Sequence, residues 1–206
     1  MKSLKQQLVF VGLCLLPALV LPLFGDAVGL LEYNRFAIAH GQLWRLVSQH
    51  WCHWSADHLF FDALAFAVLG LWAVRLDLKD TVLSLLISSV AISVGLYWLQ
   101  PEMVVIRGLS GLDCALFGVV IVHVIRQAQQ ESDRFWYLVG WFALLSFIAK
   151  TAYELITHQT VFMDSVAAGI VALPLAHLIG LGVGSGVSVV MGKFAQKQTR
   201  AVMSCA

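Results

Sequence analysis

Long apolar runs separated by short polar connections dominate the chain. Stretches of about 20 mainly apolar residues, enough to cross the hydrocarbon layer of a bilayer, recur at roughly 7–25, 57–75, 81–100, 109–127, 135–156 and 172–192. The pattern predicts an all-α membrane protein with six transmembrane helices. The first run, Leu8 to Phe24, follows Lys2 and Lys5 and so resembles the start of a signal peptide. No small-x-small cleavage site closes it and further spans follow, so it reads as an uncleaved first helix. Between the first two spans lies a long segment, Asp26 to Ala56. It carries Glu32, Arg35, Arg45, three histidines and the aromatics Trp44, Trp51 and Trp54, a mixture suited to the membrane–water interface. The connection 157–171 is apolar but broken by Asp164 and Gly169, and reads as a partly embedded cap. There is no repeat, no low-complexity stretch and no long linker, so 1–206 reads as a single domain.

Composition strengthens this reading. The apolar fraction is 60% and the charged fraction 12%, with a mean hydropathy of +0.83. A soluble core of this size cannot hide that much apolar surface, whereas a lipid bilayer can. A formal charge of +1 offers no field for nucleic acid. Cys14, Cys52, Cys114 and Cys205 show neither metal spacing nor a disulfide framework. Orientation follows from Lys/Arg asymmetry. With the N-terminus in the cytoplasm, nine basic residues lie on the cytoplasmic side (Lys2, Lys5, Arg75, Lys79, Arg126, Arg134, Lys193, Lys197 and Arg200) and three (Arg35, Arg45 and Arg107) on the far side. Both termini are then cytoplasmic, and the first loop, Ser110 and His177 lie toward the outer half.

Ionisable and polar groups inside a bilayer are costly, so each is a functional candidate. Ser110 lies in Gly108-Leu109-Ser110-Gly111 at the start of the fourth span. The glycines clear the approach to the backbone, and the free N–H groups of a helix start favour an anion, as an acyl-transfer oxyanion requires. The plain alternative is an N-cap serine beside helix-packing glycines. Gly111, Ala115 and Gly118 form a small-residue stripe after it, and His177, Gly180 and Gly184 form another in the last span. Two such stripes could pack backbone to backbone and bring His177 beside Ser110 as a general base. A lone intramembrane histidine is otherwise a hydrogen-bonded packing residue. His58 and Asp62 stand at i and i+4 on one face of the second span, either satisfying each other or supporting a charge in a cavity. Lys150 and Glu154 share the same spacing near the outer end of the fifth span and read as a snorkelling pair at the interface. His123 reads as packing; His40, His50 and His158 read as interfacial. The zincin pattern His-Glu-x-x-His is absent, and no metal or organic cofactor is implied.

Taken together, these motifs resemble the rhomboid family of intramembrane serine proteases. The segment 108–118 matches the family's Gly-x-Ser-Gly with a second glycine eight residues after the serine, and 176–184 matches its histidine helix. Gly41-Gln-Leu-Trp-Arg45 is similar to the Trp-Arg motif of the first loop, and His53 through His58 to Asp62 is similar to the histidine-rich start of the second helix. The matches run in family order. The resemblance implies a six-transmembrane-helix rhomboid-like bundle with a long membrane-embedded first loop. It implies Ser110 as nucleophile and His177 as base, in a dyad without a third acid. The oxyanion would be held by the N–H of Ser110, that of Leu109 after Gly108, and the His58 side chain. Trp44 and Arg45 would be structural, and Lys150 and Glu154 would lie at the substrate gate.

Two positions depart from the family. Asp62 stands where the family carries asparagine, and an ionised carboxylate beside an oxyanion repels it. Asp62 must then be neutralised by burial or turned toward His58, holding it as a donor; the second is preferred. Cys114 stands where tyrosine stacks on the catalytic histidine; it is also an alternative nucleophile. The compact form with Asp62 is most similar to the bacterial rhombosortase branch. That branch implies the bacterial inner membrane, a site open to the periplasm, and substrates anchored by a C-terminal Gly-Gly, hydrophobic helix and basic tail. Two other functions fit the class: a catalytically inactive client-binding membrane protein, or a small transporter, for which no inverted repeat is visible. Oligomeric state is not legible.

Overall fold

Four of the long apolar helices begin where a polar side chain, that of Ser3, Ser55, Asp77 or Asp133, caps the first turn. In this computed structural model, which describes residues 3–157 and 173–204, helix α1 spans Leu4–Val20. Ser3 opens it with a reciprocal capping box, its hydroxyl accepting from the Gln6 amide while the Gln6 side chain accepts from the Ser3 amide. A 3-10 turn, Leu21–Phe24, ends this run. The long first loop then folds into short helices α2 (Ala27–Leu31), α3 (Arg35–Ala39) and α4 (Arg45–Ser48), with a 3-10 turn at Gln49–Trp51. A two-residue strand β1, Tyr33–Asn34, pairs antiparallel with β2, Val105–Ile106, placing Tyr33 opposite Ile106.

Helix α5, Ala56–Leu76, starts on Ser55, whose hydroxyl accepts from the His58 amide at 3.1 Å. It ends on Asp77, which also starts α6, Leu78–Leu99, by accepting from the Asp80 amide at 2.9 Å. One residue therefore joins the two helices. Helix α7 spans Ser110–Gln130, α8 spans Arg134–Thr157, and α9 spans Pro174–Ser204. Six of these helices are long and apolar enough to cross a membrane, so the chain is a multi-pass membrane protein and its fold is an all-α bundle. The last helix runs beyond 192, the end read from hydropathy, because the apolar signal stops before the helical backbone does. The connection expected as a cap lies outside the described residues beyond Thr157, as do His158 and Cys205.

Helix α7 is the centre of the bundle. Of its most apolar stretch 61% is buried, against 11% for α8. Its neighbours are α9, α5, α8 and α6. Large apolar side chains such as Leu64, Phe142 and Leu145 point outward from the other helices, a surface that acyl chains cover at no cost. The first loop is held by polar bonds. Arg45, buried, donates to the carbonyls of Gly29 and Glu32 at 3.0 and 2.8 Å and to the Gln42 side chain at 2.7 Å. Arg107 pairs with Glu32 at 2.6 Å and lies 4.3 Å over the Trp54 ring, tying the loop to the strand that leads into α7.

Candidate active site

The approach to α7 is built around Gly108. Its φ of +133° lies in a region that side chains avoid, and a β-carbon there would stand 2.9 Å from Nε2 of His58 and 3.3 Å from Oδ2 of Asp62. The Gly108 amide donates to the Gln49 carbonyl at 3.3 Å. Its own carbonyl faces Nδ1 of His50 at 3.3 Å, and Nε2 of His50 faces the Ser89 carbonyl at 3.0 Å. His50 is thus not interfacial, as its place in the loop suggested. It is 1% exposed, a buried strut between α6 and the residues preceding Ser110. Burial holds its imidazole below the ordinary range, against the opposing pull of the two carbonyls.

Ser110 is the first residue of α7. The amides of Leu112 and Asp113 both turn back to the Leu109 carbonyl, which leaves those of Ser110 and Gly111 without a partner among the described residues. Across from it, Nε2 of His177 stands 3.1 Å from the Ser110 hydroxyl oxygen. The approach of α9 makes this contact. A β-carbon on Gly180 would lie 2.0 Å from the Gly111 carbonyl oxygen, and one on Gly184 would lie 2.0 Å from that of Ala115. On α7, a β-carbon on Gly118 would lie 2.7 Å from the Leu181 carbonyl oxygen. Only small residues permit two helix backbones to meet this closely.

Around the serine the polar groups are arranged in two sets. On α5, Oδ2 of Asp62 lies 3.2 Å from Nε2 of His58 and 3.3 Å from Nε2 of His53. The same oxygen accepts from the Leu109 amide at 2.9 Å. This corrects the expectation for Leu109: its N–H is occupied by Asp62 and is not a free oxyanion donor. The carboxylate that replaces the family's asparagine is turned toward His58, and toward the backbone as well. On α8, Glu154 is 2% exposed. Its Oε1 pairs with the Lys150 ammonium at 2.9 Å, and its Oε2 lies 3.4 Å from Nδ1 of His177. This corrects the reading of a snorkelling pair, since the carboxylate is buried rather than at the interface. The carboxylate points inward, to the far side of the histidine ring.

These residues border a cavity of about 680 Å³ between α5, α7 and α8. Ser110, His177, His58, Asp62, Lys150 and Glu154 supply its polar wall, and Phe61, Phe117 and Phe147 much of its apolar wall. Asp113, one turn beyond Ser110, also lines it, with Oδ1 buried and unpartnered among the described residues. Cys114 borders the cavity and is buried. No ring stacks on His177 among the described residues, consistent with cysteine where the family has tyrosine. Elsewhere, His123 pairs with Asp80 at 3.0 Å rather than only packing. No group of three or more His, Cys, Asp or Glu among the described residues is arranged to hold a metal ion.

Sequence reasoning missed His50, Asp113 and the direction of Glu154. Asp113 and Glu154 each carried a signal, an acid in an apolar helix, whereas His50 in its polar loop carried none. Compared with known proteins, residues 40–194 match the family model of the rhomboid domain. No curated protein matches the chain.

Proposed function

The chain belongs to the rhomboid family, and from that premise we propose that it is an intramembrane serine endopeptidase whose nucleophile is Ser110 and whose general base is His177. The observation that carries this reading is the 3.1 Å contact between Nε2 of His177 and the Ser110 hydroxyl, inside a cavity that opens between helices.

The chemistry follows from that contact. A substrate helix unwinds locally so that one peptide carbonyl becomes accessible. The Ser110 oxygen attacks the carbonyl carbon and Nε2 of His177 takes the hydroxyl proton. The oxyanion is met by the free Ser110 amide at the positive end of α7, with Nε2–H of His58 as a side-chain donor when it turns from Asp62. Collapse breaks the C–N bond, and the imidazolium gives its proton to the departing amine. Water then attacks the Ser110 ester, its proton passing to His177 and on to the serine oxygen as the new carboxylate leaves.

The finer reading rests on Asp62 and the compact six-helix form. It is a rhombosortase-type protease in a bacterial inner membrane, with both termini cytoplasmic and the cavity open to the periplasm. Its substrates are exported proteins held by a C-terminal Gly-Gly, hydrophobic helix and basic tail. Labelling of the purified protein in detergent with a fluorophosphonate tests the chemistry. The native protein labels, and Ser110→Ala and His177→Ala do not. Absence of native labelling beside a reactive rhomboid control overturns the proposal in favour of a client-binding protein. Co-expression with a reporter carrying the Gly-Gly anchor tests the substrate class, since a reporter without the glycines is not cut.

A further inference from the structure

We propose that Glu154, held in place by Lys150, is a positioning residue for His177, so that the site works as a Ser110–His177–Glu154 triad and not as a two-residue dyad. The inference rests on the protease reading and adds a third group to it.

The argument begins with the imidazole. To take a proton from Ser110, Nε2 of His177 must arrive without one, so a neutral ring carries its hydrogen on Nδ1. That hydrogen points away from the serine and needs an acceptor, because the site is buried. Among the described residues Nδ1 of His177 and Oε2 of Glu154 both lack a hydrogen-bond partner, and they lie 3.4 Å apart. Two buried groups of opposite need face each other, and a small rotation of the Glu154 carboxylate joins them. Catalytic hydrogen bonds commonly stand long in the unliganded site and tighten with substrate.

Lys150 makes this arrangement stable. A lone carboxylate in a low-dielectric wall is unfavourable unless an opposite charge accompanies it. Lys150 and Glu154 are one turn apart on α8, and the ammonium takes Oε1 at 2.9 Å, leaving Oε2 for the imidazole. The two oxygens thus have separate tasks. A pair built only to reach the interface would put the carboxylate in the open, whereas Glu154 is 2% exposed. Among the described residues, the other acids on the cavity wall, Asp62 on α5 and Asp113 on α7, make no hydrogen bond or ion pair with the ring. When His177 becomes an imidazolium in the transition state, Glu154 is the anion that faces its Nδ1.

Two measurements on the full chain in detergent decide the matter. The first is steady-state cleavage of the anchor reporter by Glu154→Gln, Glu154→Asp and Lys150→Met. Glutamine removes the charge and can present its amide NH2 to Nδ1, so kcat falls about 100-fold while KM stays within about twofold. Aspartate recovers part of kcat, and Lys150→Met falls between. The second needs no substrate. In protein labelled with 15N-histidine, the His177 signals, identified by their loss in His177→Ala, report the Nδ1–H tautomer in the native chain and a shift toward Nε2–H in Glu154→Gln. Native kcat in Glu154→Gln, or an Nε2–H tautomer in the native chain, overturns the inference. Failure of fluorophosphonate labelling overturns the protease reading instead, and the tautomer still tests the Glu154 contact. If Glu154→Gln does not fold, the native tautomer and Glu154→Asp decide.

Discussion

Helix α7 has two unlike flanks. Against α9 the backbones meet so closely that hypothetical β-carbons on Gly180 and Gly184 fall 2.0 Å from α7 carbonyl oxygens. Toward α5 and α8 the same helix borders a cavity of about 680 Å³, with the stacked rings of Phe117 and Phe147 beside it, their centroids 5.3 Å apart. Ser110 sits where the flanks meet. The difference separates two requirements that one packed interior cannot satisfy together. In the proposed protease His177 must be fixed relative to Ser110 to within a few tenths of an ångström, and a close glycine seam does that. The proposed reaction also requires a peptide to reach the serine, and that needs space and replaceable contacts.

The comparison breaks most directly at the seam. Gly180→Val drives side-chain carbons into the Gly111 carbonyl, so the helices separate, and overpacking of this kind costs about 1–3 kcal/mol or more. Fluorophosphonate labelling should fall at least about 100-fold, and the thermal midpoint in detergent should drop. Gly182 lies on the same helix with nothing within 4 Å of its β-position. Gly182→Ala should keep full labelling and gain up to about 1 kcal/mol of helix stability. Equal damage from both substitutions would mean that the seam does not position the histidine.

The cavity flank should answer more mildly. Asp62→Asn keeps an oxygen for the Leu109 amide and loses the charge facing His53 and His58. Peptide cleavage should stay within about tenfold of native, the scale of one weakened charged hydrogen bond. Complete inactivation would show that the carboxylate's charge, and not its acceptor oxygen, is what the site requires.

The smallest effect lies beneath the serine loop. Burial depresses the His50 imidazole in the folded chain, while the unfolded chain titrates near the ordinary value of about 6.5. Below that value the unfolded state binds a proton that the folded state refuses, so folded stability is full above it and falls as pH drops toward the depressed folded value. Melting curves between pH 7.5 and about 5 should show this loss, and His50→Gln should remove the His50 part of it. An unchanged pH dependence in that variant would mean the ring is not the responsible group.

The fold was legible because a bilayer imposes one strong rule, about 20 apolar residues per helix, and six helices among the described residues obey it. The serine and the histidine stood out because polar groups in such helices are rare. Other features were hidden for a definite reason. The i, i+4 spacing of Lys150 and Glu154 fixes that they share a face, but not which neighbour that face meets; the rotation of α8 against α9 decides it. The Leu109 amide was expected to be free because nothing local reveals that a carboxylate far away in the chain folds onto it. His50 was read as interfacial since a histidine beside tryptophans in a polar loop usually is. Its burial comes from the loop closing over α6, a long-range event.

The single-residue joint at Asp77 has a mechanical consequence. Its amide donates to Ala73, its carbonyl accepts from Thr81, and its side chain caps α6, so no slack exists there. Any tilt of α5 therefore turns about that end. With 21 residues the helix is a rod of about 30 Å. A swing of only about 5° carries its far tip, beside His58 and Asp62, through roughly 2.7 Å. The cavity would widen as a wedge, most at the serine and least at the fulcrum, so a small angular change delivers nearly all its opening beside Ser110.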